Sequence, residues 1–371
     1  MWIPEALISP TSGVRIVPVP GDAGPDGKPA TSRLDGAAAL DVAVTRGDLV
    51  ESTHRVHAAV VNADGVLLDA TRDPGLKVWW RSCAKPFQVM PLVRSGGLDA
   101  LGWGVDELAL ACASHGGEPE HVAVAARMLE RLGLEEGDLA CGPHDPLASR
   151  GGRLLREAGQ RPSRLHNNCS GKHSAMLARA LQGGLATAGY ERAEHPVQRD
   201  CRRAVSEWTG VPDSELGVSV DGCGVSVFAL PLANMAFSYA RLARAAHMGD
   251  DASRRVVNAM TGQPFLVGGT DRFDTLVMEA GQGNIICKIG AEGVHTFAIV
   301  DQQIGFALKV EDGSPRAQFP AALALLDAYG ALPRPLPSPL ADFLRRPVRN
   351  TRGEQVGTVG VCRARLGEPF A

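Results

Sequence analysis

Ile285-Ile-Cys-Lys-Ile-Gly-Ala-Glu-Gly-Val-His-Thr-Phe-Ala-Ile-Val-Asp-Gln-Gln-Ile-Gly-Phe-Ala-Leu-Lys-Val310 holds three strand-like runs in succession, 285–289, 296–300 and 305–310. β-Branched and aromatic residues fill these runs and Gly and Asp punctuate them, as in short paired strands. A matching pair lies toward the other end of the chain: His57-Ala-Ala-Val-Val-Asn62 and Gly65-Val-Leu-Leu-Asp69 flank Ala63-Asp64 and read as a hairpin. Between the two ends the periodicity turns helical. Residues 120–132 gather Val122, Ala125, Ala126, Leu129 and Leu132 on one side. Helices are also expected over 174–181, 195–209, 230–246 and 320–329, and the run 107–113 is short and apolar. Strands early and late, with helices between, predict an α+β fold whose sheet joins the two chain ends around a helical insert.

The 371 residues suit two domains or one large one. A composition of 44% hydrophobic and 21% charged residues is that of a globular chain. A net charge of −3 gives no attraction to nucleic acid or to an acidic membrane, so neither is expected as a partner. No stretch approaches the roughly 20 apolar residues of a membrane span. Met1 to Gly21 lacks a basic region followed by an apolar block, and a cytoplasmic location is expected. In that setting the eight cysteines, none in a CxxC pair, are expected as reduced thiols. Residues 1–40, broken by Pro18, Pro20, Gly21, Gly24, Pro25, Gly27 and Pro29, are expected to be a disordered extension. Residues 41–371 then form the body, in two lobes.

Five segments carry groups with chemistry. Arg81-Ser-Cys-Ala-Lys-Pro86 has Ser82 and Lys85 in an S-x-x-K spacing. If a helix starts at Ser82, hydroxyl and amine share a face and can meet, and Pro86 fits a first turn. A serine needs a base, and lysine serves only if burial or a nearby cation lowers its pKa. Arg81 can supply such a field or bind a substrate carboxylate. The plain alternative is an N-cap serine beside a surface lysine. Ala111-Cys-Ala-Ser-His-Gly-Gly-Glu118 ends an apolar run in Ser114, His115 and two glycines, most simply a strand-to-helix turn capped by Ser114. Leu165-His-Asn-Asn-Cys-Ser-Gly-Lys-His-Ser174 is the densest polar cluster. It is no phosphate-binding loop, because His166 and His173 occupy positions that need Gly and Ser or Thr. Ser219-Val-Asp-Gly-Cys-Gly-Val-Ser226 sets Asp221 and Cys223 on one side of an extended stretch. Cys223 could then join Cys169 and a nitrogen ligand in a zinc site, or the two could be unrelated buried thiols. In Cys287-Lys-Ile-Gly290 a lysine interrupts an apolar strand, bordering a pocket or guarding a sheet edge. Gly268-Gly-Thr-Asp-Arg-Phe-Asp-Thr275 reads as a loop near the site.

In this order and spacing the segments resemble the Rhizobium-type L-asparaginases, the asparaginase II family. Glu51-Ser-Thr-His-Arg55, Arg81-Ser-x-x-Lys-Pro86, Ala113-Ser-His-Gly-Gly-Glu118, Asn167-Asn-Cys-Ser-Gly-Lys-His173, Asp221-Gly-Cys-Gly224 and Cys287-Lys-x-Gly290 carry the match, from about Val50 to Val361. The resemblance implies hydrolysis of L-asparagine to L-aspartate and ammonia. It also implies a homodimer with an α+β fold related to serine β-lactamases, penicillin-binding proteins and serine glutaminases, a mixed sheet packed with helices plus a helical portion. By motif it pairs Ser82 with Lys85 and Ser114 with Lys288 as catalytic residues. It gives Arg81, His173 and Asp221 to the substrate, and Cys169, Lys172 and Cys223 to zinc.

The resemblance leaves open which serine attacks. Ser114 with Lys288 is the preferred pair, with Ser82 and Lys85 completing a proton relay. Asp271 stands where family members often carry glycine, and Cys83 inside the S-x-x-K turn is oxidation-prone if exposed. A penicillin-interacting serine hydrolase is the rival reading, although S-D-N is absent and Ile289 replaces the threonine of K-T-G. A catalytically silent amino-acid-binding homologue is the second rival.

Overall fold

The computed structural model describes residues 33–34 and 36–362. Positions 1–32 of the expected extension lie outside the described residues. Beyond them the chain is already packed. Leu34 and Leu40 are buried in the core, and the Asp69 carboxylate accepts the backbone N–H groups of Arg33 (2.6 Å) and Leu34 (3.1 Å). The body therefore starts before residue 41. Two isolated leucines anchor it, and isolated leucines leave no periodic signal.

The strands are β1 (Val42–Arg46), β2 (Leu49–His54), β3 (Val56–Asn62), β4 (Leu67–Thr71), β5 (Lys77–Trp79), β6 (Gly217–Val220), β7 (Ser226–Pro231), β8 (Ile285–Ile289), β9 (Val294–Ile299), β10 (Ile304–Val310), β11 (Arg345–Arg349) and β12 (Gln355–Val361). They form a five-stranded sheet in the order β4-β3-β10-β9-β8, a four-stranded sheet β11-β12-β1-β2 and a three-stranded sheet β5-β7-β6. The α+β class is as expected. Every described pairing is antiparallel. The sheets join the chain ends: β3 pairs with β10 from Val56↔Val310 to Asn62↔Ile304, and β1 pairs with β12.

The β3–β4 hairpin turns where the sequence places it. The Asn62 side chain accepts the N–H groups of Asp64 and Val66, each at 3.0 Å, so the turn carries its own local bonds. β9 is buried along its whole length and β10 nearly so, because helices pack on the sheet. The Leu232–His247 helix crosses β3, β9 and β10. It comes so close that a Cβ on Gly305 would lie 1.9 Å from the Ala236 carbonyl oxygen. The Pro315–Ala328 helix touches β9 and β10 as well as β1 and β12, and so binds the two larger sheets into one body.

The insert holds the helices Val105–Cys112, Pro119–Leu132, Ser170–Gln182 and Pro196–Thr209. The run before Ser114 is thus a helix, and Ser114 follows it in extended chain, where a strand-to-helix turn is the simple reading. Among the described residues no helix is long and apolar enough to cross a membrane. All eight cysteines are free thiols, seven of them buried.

Gly305 is where this packing admits no side chain. Gly305→Ala should lower unfolding stability by about 2 kcal/mol or more, read as the midpoint shift in chemical denaturation. An unchanged midpoint would show that the helix can back away from β10 freely.

Candidate active site

Two lysines meet at one serine. Lys85 ends the Arg81–Ala84 turn and opens the Lys85–Gln88 helix. An aromatic box pins this segment: Trp80 stacks on Phe87 with ring centroids 5.1 Å apart, and Tyr239 Oη donates to the Cys83 carbonyl at 2.8 Å. Lys85 is sealed from solvent. Its Nζ donates to the Ala113 carbonyl, to Ser114 Oγ at 3.1 Å and to the Asn168 carbonyl at 3.2 Å. Three acceptors use all three protons of an ammonium group. No bond runs from Lys85 to Ser82, which stays partly exposed. The expected Ser82–Lys85 pair is therefore replaced by a Lys85–Ser114 contact. A buried amine needs more acceptors than one solvated hydroxyl offers, and residues 113, 114 and 168 provide them.

Lys288 reaches the same hydroxyl from β8. Its Nζ lies 2.7 Å from Ser114 Oγ and donates to the Ile289 carbonyl at 2.8 Å. β8 is an edge strand, yet Lys288 is fully buried, so it does not act as a solvated edge guard. Burial lowers its pKa to about 8, and the neighbouring Lys85 pushes in the same direction. Ser114 itself is 3% exposed.

The loop carrying Ser114 is fixed from both sides. The Ser114 N–H donates to the Val267 carbonyl at 3.1 Å. His115 Nε2 and Ser170 Oγ are 2.9 Å apart, and the Gly117 N–H donates to His115 Nδ1. Glu118, buried, accepts from the Thr270 N–H (2.7 Å), from Thr270 Oγ1 (2.6 Å) and from Arg150 (2.8 Å). This ties the 268–272 loop to the serine loop. Asp271 in that loop has φ 58°, the left-handed conformation a glycine takes readily and an aspartate tolerates. Its place in the family pattern thus keeps the turn.

Cys169, Lys172 and Cys223 converge although 54 residues separate the two thiols. The Ser170–Gln182 helix brings the first two in by crossing the Val105–Cys112 helix at Gly171, where a Cβ would sit 2.3 Å from the Leu110 carbonyl. Lys172 Nζ donates to Cys223 Sγ at 3.0 Å. The hydrogen bond from Cys169, with Lys172 beside it, holds Cys223 down at about 4, while the same bond and burial push Cys169 up to about 12. Burial would lower Lys172, but Cys169, Cys223 and Asp221 outweigh it and raise it. Two sulfurs and a nitrogen in contact are a donor set of zinc-binding type, provided Lys172 and Cys169 shed their protons.

The three expected substrate groups lie in this neighbourhood. Arg81, at φ 53°, donates through Nε to Asp221 Oδ1 at 2.8 Å. Burial would raise the Asp221 carboxyl, but Lys172 and Arg81 reverse this and lower it, so it stays ionised. His173 is buried; Nδ1 lies 2.6 Å from Tyr190 Oη, and Nε2 has no hydrogen-bond partner among the described residues. Burial and Lys172 lower its pKa to about 3, so the imidazole is neutral. Cys83 is buried, and burial pushes its thiol to about 12, which removes the expected oxidation hazard.

Sequence reading did not single out Tyr190, Asp274 or His295. Asp274 lay inside the quoted 268–275 segment, His295 sits in an apolar strand without a polar pattern, and Tyr190 stands between Gly189 and Glu191 outside every quoted segment. A serine hydroxyl held between two buried amines can be deprotonated by one and stabilised by the other, the requirement for acyl transfer. Residues 42–361 match the family model of L-asparaginase II, and the chain belongs to that family, which makes it an enzyme of the amidohydrolase class. A search of curated proteins finds no match. Among solved structures it is similar to a Bacteroides dorei DSM 17855 protein described as a beta-lactamase. That likeness has 11% identity and a TM-score of 0.38, over 78% of this chain and 93% of the other.

The lowered Lys288 has a measurable sign. Between about pH 8 and the ordinary lysine value the folded chain holds fewer protons than the unfolded chain, so this group adds stability as pH rises. The unfolding free energy of the native protein minus that of Lys288→Met should therefore grow by about 3 kcal/mol from pH 8 to 10.5. A flat difference would place the lysine at its ordinary value.

Proposed function

We propose that this enzyme hydrolyses L-asparagine to L-aspartate and ammonia, with Ser114 as nucleophile and Lys288 as its base. The observation that carries the reading is the convergence of both lysine amines on Ser114 Oγ, at 2.7 Å from Lys288 and 3.1 Å from Lys85. Neutral Lys288 donates one N–H to the Ile289 carbonyl and takes the Ser114 proton on its lone pair. Lys85, engaged as an ammonium, donates to the same oxygen and steadies its developing charge.

The Ser114 oxygen attacks the side-chain amide carbon. As the C–N bond breaks, Lys288 returns its proton to the departing nitrogen, which leaves as ammonia. Water then attacks the acyl-serine with Lys288 again as base, releasing aspartate and restoring Ser114. Arg81 suits the α-carboxylate of the substrate and ionised Asp221 the α-ammonium; His173 Nε2, neutral and unpartnered, suits a further polar contact. Ser82, without a base of its own, serves the substrate side.

Cys169, Lys172 and Cys223 would hold a zinc ion, a choice supported by their soft, converging donor set. Bound there, zinc would organise the start of the 170–182 helix and the 221–224 turn through its charge. Because two of the ligands must lose protons, occupancy falls as pH falls.

Ammonia release from asparagine tests the reading. Ser114→Ala and Lys288→Met should each lower kcat/KM by roughly a thousandfold or more, and mass spectrometry should find trapped acyl-enzyme on Ser114. Native activity in Ser114→Ala would sink the assignment. The kcat/KM profile should rise through about pH 8 as Lys288 becomes neutral; a profile flat from 6 to 9 would contradict it. For the metal, adding zinc should raise the thermal midpoint of the native protein and leave Cys223→Ala unmoved. Equal midpoints with and without zinc in the native protein would rule out the organising role.

A further inference from the structure

A second polar cluster lies beside Lys288 and takes no part in the steps above. Asp274, Cys287 and His295 are buried, with their potential ligand atoms within 4.8 Å of one another. Their hydrogen bonds are made inside the protein. Asp274 Oδ1 accepts from His295 Nε2 at 2.8 Å and from Cys287 Sγ at 3.3 Å. Gln318 Nε2 donates to the Val294 carbonyl at 2.7 Å and approaches His295 Nδ1 at 3.5 Å. With Nδ1 facing a donor, the proton of a neutral imidazole belongs on Nε2, pointing at Asp274.

The other carboxylate oxygen connects this cluster to the amine. Asp274 Oδ2 accepts the Ile289 N–H at 2.7 Å, and the Ile289 carbonyl accepts from Lys288 Nζ at 2.8 Å. One residue of the edge strand is thus held by the carboxylate at its N–H and holds the lysine at its carbonyl. We infer that Asp274 is a positioning residue for Lys288, fixing through Ile289 where the amine stands against Ser114 and setting a buried negative charge near that amine.

The groups facing Lys288 are few. Lys85 disfavours its ammonium form, and Asp274 favours it. Cys83 and Cys112 are pushed up to about 12 by burial, and Cys169 is pushed to the same value by its bond to Cys223, so all three stay neutral. Burial pushes Cys287 above its ordinary range and His295 below its own. Burial would also raise Asp274, but His295, Lys288 and the Ile289 N–H lower it well below the carboxylate range. Among the described residues that face Lys288, Asp274 is therefore the one full negative charge.

The catalytic part of this inference rests on Lys288 acting as base; the electrostatic part does not. The chain has six lysines, so side-chain carbon NMR of labelled lysine can follow Lys288, assigned by its loss in Lys288→Arg. In Asp274→Asn the Lys288 midpoint should fall by about one unit or more. The acid limb of kcat/KM should move with it, and kcat should drop roughly tenfold with KM little changed. A folded Asp274→Asn protein whose Lys288 midpoint stays in place would overturn the inference, as would one with unchanged kcat. If Asp274→Asn does not fold, Asp274→Glu decides. Charge kept and geometry altered should hold the midpoint within about half a unit while kcat falls roughly fivefold, and a native kcat there would overturn it. A moved Lys288 midpoint in a protein that releases no ammonia would sink the proposed reaction and leave the electrostatic link standing.

Discussion

Two lysine amines are buried on one serine hydroxyl, and the rest of the interior is arranged to make that tolerable. A buried ammonium without partners is costly by several kcal/mol. Here Lys85 spends its protons on Ala113, Ser114 and Asn168, groups from two separate loops. Lys288, with one bond to the Ile289 carbonyl, is eased toward neutrality by burial and by Lys85, against the pull of the nearby Asp274 carboxylate. The helix break at 113–118, the clamp from Glu118 to Thr270 and the aromatic box around Trp80 each hold one side of this contact. The asymmetry between the amines, one saturated with acceptors and the other not, gives chemically different roles to two residues of one type.

Much of the fold could be read from the chain, because the decisive strands are short, apolar and well punctuated. The β3–β4 hairpin and the 285–310 runs stand close to where their patterns put them. The four-stranded sheet left less trace: β2 and β11 are mostly exposed and β11 is basic, so they alternate against no hidden core. The helix expected from Ser174 begins at Ser170, since its first turn carries Gly171, Lys172 and His173, polar or small residues buried toward the site. The helix expected from Pro320 starts at Pro315 and continues through Pro320, where a proline is more often read as a start.

The candidate site was legible as a list of residues and much less as a set of contacts. Spacing suggested Ser82 beside Lys85, and a three-residue separation does put two side chains on one face. It cannot tell what else approaches that face from 28 residues away, as Ala113 does. Cys169 and Cys223 show the opposite case. Their separation along the chain said nothing, and their meeting follows from a glycine at 171 that lets two helices cross. Asp274 was passed over because a single carboxylate in a loop-like segment resembles any surface aspartate until its burial is known.

The antiparallel pairing of β3 with β10 carries a consequence for the order of assembly. Ser114, Lys85 and the thiol cluster all precede residue 224, whereas Lys288 arrives on β8, whose neighbour β9, and β10 beyond it, come later still. Contacts of such long sequence separation form late in folding, because their loops must close first. On the ribosome, the proposed nucleophile emerges long before its proton acceptor. In the proposed reaction the nascent chain would carry an inert serine until the closing strands dock, and hydrolytic competence would report that the sheet is complete.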